Sequence, residues 1–223
     1  MRLLRPARQE TYEKVFEALY AGLTTNLALT LSCAPLLAAL AIVRDPPASW
    51  PFFAVVSLVC APALAGAFGA FAAPGSGRAW RAFWGAYRRA APRALAVWAA
   101  GVVAVGVLAV DALALAGTAW GPALVPFFCT AAALVVAVVV ALLALLAEPG
   151  SGALLPLVRP CLYLVARRWY LAAANLVVLG LAVAVVLARP VAGLLVVCAP
   201  LLYAVWATTR FILAPLLDEK RNP

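Results

Sequence analysis

The residues able to do chemistry in this sequence are few, and most stand alone in apolar surroundings. Asp111 is the only acidic side chain well inside an apolar run. A carboxylate in hydrocarbon is costly to hold and is a functional candidate for that reason. Counted from the end of its run, it lies about 9 Å below the membrane surface at 1.5 Å rise per residue. It either lines a polar path or pairs with Arg189 in a neighbouring hairpin tip. Asn26 and Asn175 each follow an aromatic residue, Tyr20 and Trp169, by six positions, which predicts similar depths in two different helices. An amide in hydrocarbon finds an interhelical hydrogen bond, about 1 kcal/mol, or contributes to a polar site.

Histidine-dependent catalytic and metal chemistry is excluded, and a membrane-embedded enzyme acting on lipid has little support because no nucleophile–base pair is visible. The chain has 0 His, which removes the commonest general base and the commonest metal ligand. Cys33, Cys60, Cys129, Cys161 and Cys198 fall singly in different runs without CxxC spacing, the pattern of small buried hydrophobes rather than of a zinc or redox site. No GxxxxGK[ST], HExxH or GxSxG occurs. The sequence therefore assigns no catalytic residue, metal or cofactor, and an ATP-driven role would require another subunit.

The elements that must carry these residues follow from composition. The chain is 67% hydrophobic and 11% charged, against roughly one-quarter charged in soluble domains. Crossing a bilayer takes about 20 apolar residues, all backbone amides being satisfied within the helix. Six runs qualify, at approximately 18–43, 52–73, 94–117, 123–147, 170–188 and 191–209. They form a single all-α membrane domain, a polytopic bundle of three hairpins. Arg2, Arg5, Arg8, Lys14 and three glutamates before residue 18 make the first run a true span rather than a signal peptide.

Of the 17 Lys and Arg residues, only Arg44 and Arg189 fall at the hairpin tips. The positive-inside rule then places both termini and the two long connectors, 74–93 and 148–169, in the cytoplasm. Because the net charge of +9 is confined to connectors, it marks topology rather than a nucleic-acid surface.

Each hairpin is preceded by an amphipathic stretch. Tyr12, Val15, Phe16, Leu19 and Tyr20 form the first stripe, and Trp80, Phe83, Trp84 and Tyr87, among Arg78, Arg81, Arg88 and Arg89, the second. Leu162, Val165 and Trp169 beside Arg167 and Arg168 form a weaker third. The predicted role is a short helix lying among anionic headgroups. The alternative is a cytoplasmic docking surface made of Trp80, Phe83, Trp84, Tyr87, Arg88, Arg89, Arg167, Arg168 and Trp169. Pro35, Pro62, Pro126 and Pro200 fall within spans, where they either kink helices to shape a cavity or hinge or simply reflect the higher frequency of proline in membrane helices.

Several features together resemble the YesL-like family of small bacterial membrane proteins. They are Leu19-Tyr20 leading to Asn26-Leu27, Cys33-Ala34-Pro35, Pro62-Ala63-Leu64 with Ala67-Phe68, Phe83-Trp84-Gly85-Ala86-Tyr87-Arg88-Arg89, and Arg210-Phe211 with Ala214-Pro215-Leu216. The resemblance spans nearly the whole chain. It implies the bacterial cell membrane and a part in carbohydrate uptake, as an accessory or scaffold beside the subunits of an ABC importer, with no catalytic residue to carry over. Besides those subunits, the expected partners are anionic lipids and a second copy of the chain, and not nucleic acid. The alternative makes the bundle itself a transporter or channel for a small solute, lined by Asn26, Asn175 and Asp111.

Overall fold

The structure, a computed structural model, describes residues 5–43, 49–73, 78–148, 153–189 and 193–219. Along these the chain forms α1 (Arg5–Ser32), α2 (Ala34–Ile42), α3 (Trp50–Val56), a 3-10 turn (Ser57–Val59) and α4 (Cys60–Ala72). There follow α5 (Ala79–Leu115), α6 (Gly121–Ala147), α7 (Leu155–Arg167), α8 (Trp169–Ala188), a π turn (Gly193–Val197) and α9 (Cys198–Glu219). Five helical segments are long and apolar enough to cross a bilayer. The stretch from Leu19 through α2, bent by 61° at Cys33, makes a sixth where the bent pair is counted as one span rather than as a re-entrant loop. The chain is an all-α polytopic membrane protein. The tips at 44–48 and 190–192 and the last residues, 220–223, lie outside the described residues.

Prolines account for the irregular spans. A proline inside a helix lacks the N–H for the carbonyl four residues back, and its ring crowds that carbonyl. Pro35 thus deprives Leu31, and the helix turns at Cys33. Pro62 deprives Leu58, at the centre of the 3-10 turn. Pro200 deprives Val196, inside the π turn.

Two of the three amphipathic stretches are not separate helices. The first is continuous with the opening of span one in the 28 residues of α1. The second is the start of the 37-residue α5, whose length of about 55 Å well exceeds a hydrocarbon core of about 30 Å. Only the third forms its own helix, α7, ended at Arg168 before α8 begins. The expectation of three short interfacial helices is therefore corrected for the first two. Pro92 lies within α5 without interrupting it.

Small residues bring the helices close, as they do where lipid supplies no hydrophobic drive for helix association. A Cβ on Gly69 of α4 would stand 2.3 Å from that of Ala86 in α5, and one on Gly66 would meet the Phe83 ring at 3.1 Å. Gly101 lets α5 approach Val139 of α6 in the same way. Phe68, Phe83 and Leu143 are fully buried at the centre of this packing.

Candidate functional site

Both predicted asparagines are buried and bonded, and both to α9. The Oδ1 of Asn26 accepts the backbone N–H of Ala199 at 2.7 Å. That N–H borders the π turn and Pro200, where the regular helical ladder is disturbed. The Nδ2 of Asn175 donates to Thr209 Oγ1 at 3.0 Å. The two partner positions on α9, the donor Ala199 and the acceptor Thr209, are ten residues apart in sequence, which is about 15 Å along a helix. The expectation of similar depth is therefore corrected, because α1 and α8 dock at different heights on the same helix.

Asp111 joins neither amide. It is exposed, as is Arg189, and among the described residues the two make no ion pair. Because α5 is unbroken, Arg93 and Asp111 are separated by about 27 Å, close to the full thickness of a hydrocarbon core. Asn26, Asn175 and Asp111 are not brought together.

Two cavities bear on a polar path. One, of about 10 Å³, is lined by Asn175, Thr209 and apolar side chains; it has room for about one water. The other is a groove of about 500 Å³ on the flank of the bundle, with Trp50, Trp98, Gly101, Gly106, Val139 and Leu179 among its lining. Its lining is apolar apart from the indole N–H groups, and that of Trp98 is taken up by Ser57 Oγ at 3.1 Å.

At the end of the bundle where α5 begins, the aromatic stripe divides. Phe83 is 0% exposed, held against α4 by the Gly66 approach. Trp84 and Tyr87 are half-buried beside it, with Trp84 5.4 Å from Phe83 between ring centroids. Trp80 remains 40% exposed, and Arg78, Arg81, Arg88 and Arg89 are exposed around it. Thus Phe83 belongs to the core, while Trp80, Arg88 and Arg89 lie on the surface.

The elbow between α7 and α8 supplies a second basic aromatic area. Arg167 and Trp169 are exposed. Arg168 is engaged: its guanidinium donates to the Phe211 carbonyl and lies 4.8 Å from the centroid of the Phe211 ring. Pro215 explains why that carbonyl is free, since it cannot donate to the residue four positions back. Arg210 pairs with Glu148 at 3.5 Å and lies over Trp206 at 5.1 Å. These contacts tie the elbow and the end of α6 to α9.

The contribution of α9 was the part missed from sequence. Ala199, Thr209, Phe211 and Arg210 receive α1, α8, α7 and α6 in turn, and only the proline at 200 hinted at free backbone groups there. A second missed feature is the approach of three cysteines scattered along the sequence. Compared with protein-family models, curated proteins and solved structures, the chain matches none.

Proposed function

We propose that this chain is an accessory or scaffold subunit of a membrane transport system, engaging its partner through the basic aromatic end of the bundle. The observation that carries this reading is the construction of α5. Trp80, Arg81, Arg88 and Arg89 stand exposed on a helix that continues into the membrane without a break, and Phe83 locks its inner side to α4. A partner gripping that surface would be coupled to the spans with little slack.

The distribution of Lys and Arg supports a cytoplasmic position for this end. It also supports contact with anionic lipids, each basic residue near the surface contributing about 1 kcal/mol. A carbohydrate importer of the ABC class in the bacterial cell membrane as the system served rests on the sequence resemblance.

The test is affinity purification from gently solubilised native membranes, with the triple variant Trp80→Ala, Arg88→Ala, Arg89→Ala alongside. A partner that co-purifies with the wild type and falls at least tenfold with the variant is expected. A wild-type chain that emerges alone, or a partner retained by the variant, would overturn the reading.

A further inference from the structure

Cys33, Cys60 and Cys198 are far apart in the sequence, yet they meet in one packed cluster with Ala28, Leu29, Ala63 and Leu202. Each stands at the irregular point of its own span. Cys33 is the residue at which span one bends by 61°. Cys60 follows the 3-10 turn in span two, and Cys198 follows the π turn in span six. The sulfurs of Cys33 and Cys60 are in contact, 3.9 Å apart, with the Cys33 thiol donating to Cys60 Sγ.

We infer that Cys33 and Cys60 form an oxidisable dithiol, closing to a disulfide that pins the bend of span one to span two. A disulfide needs its sulfurs about 2.05 Å apart. The approach required is under 2 Å, and it falls where both helices already depart from regular geometry. Cys60 is only half-buried and lies near the middle of the apolar span Trp50–Ala72, a position that a bilayer would surround with hydrocarbon. The fitting oxidant is therefore a lipid-soluble two-electron acceptor of the quinone class.

In the balanced step both S–H bonds break and one S–S bond forms. The two electrons and two protons pass to the quinone oxygens, giving one hydroquinone. Reduction by a dithiol or phosphine returns the pair. The consequence for the fold is a hinge at Cys33 that is free when reduced and fixed when oxidised.

The experiment uses the full chain in liposomes containing a fully substituted benzoquinone, whose ring cannot add thiols. After acid quenching and denaturation in SDS, the remaining thiols are alkylated and the peptides are analysed by mass spectrometry. Two of the five thiols should be lost in a Cys33–Cys60 linked peptide, recovered after phosphine treatment and absent in Cys60→Ser. Cys129 and Cys161 should stay alkylatable and serve as internal standards. Five free thiols after oxidation, a bridge made instead to Cys198, or a bridge between two chains would overturn the inference.

Discussion

The first and second aromatic stripes have the same helical spacing in sequence and opposite fates in the fold. In α1, Tyr12, Phe16, Leu19 and Tyr20 lie on an exposed face that continues through Leu23, Leu27 and Leu31, with Phe16 69% exposed. The opposite face of α1, with Thr25, Asn26, Ala28 and Leu29, is the one buried in the bundle. In α5 the stripe divides: Phe83 turns inward at 0% exposed, with Ala79, Ala86 and Ala90 continuing its face against the rest of the bundle, while Trp80 stays on the surface. The difference lies in the neighbour, because α4 offers Gly66 and Gly69 where a ring and a helix backbone can enter. An amphipathic stripe therefore does not by itself say whether it meets lipid or protein. What decides is whether another helix presents small residues to it.

Four substitutions probe this contrast. Phe83→Ala should be the most damaging, removing a buried ring and leaving a cavity, at about 3–5 kcal/mol by analogy with large-to-small changes in cores. Reversible unfolding in mixed detergent would register it. Gly69→Ala comes next, at about 1–3 kcal/mol, because its Cβ would overlap that of Ala86, which has no flexible end to move aside. The same unfolding assay reads it, and loss of α4–α5 cross-linking would localise it. Asn26→Ala should cost about 1–2 kcal/mol by leaving the Ala199 N–H buried without its acceptor; faster amide exchange at Ala199 is the accompanying sign. Phe16→Ala should change stability by less than about 0.5 kcal/mol, as for other surface sites. Its effect belongs in partition to liposomes, which should weaken slightly.

Much of the fold was legible because it follows from local rules. Long apolar runs must become membrane helices when no water can satisfy their backbone, and the prolines at 35, 62 and 200 mark where three spans break. The continuity of α5 was harder to read, since Arg88, Arg89 and Pro92 interrupt the apolar pattern without interrupting the helix. The site residues divide in the same way. Arg88 and Arg89 could be placed on the surface from charge alone, whereas Phe83 could not be assigned to the core without knowing that Gly66 packs beside it. The amides were recognisable as polar groups needing partners, but the partner of Asn26 is a backbone N–H 173 residues away. Nothing local marks such a pairing, nor the meeting of Cys33 with Cys60.

The contrast between the two stripes is tested most directly by replacing Phe16 and Phe83 with cysteine in separate full-length chains. Each is exposed in liposomes to a lipid-soluble maleimide, and labelling at the new position is followed by peptide mass spectrometry. Fast modification at position 16 and at least tenfold slower modification at position 83 is the predicted result. Equal rates at the two positions would contradict it, because Phe83 would then be as accessible as Phe16.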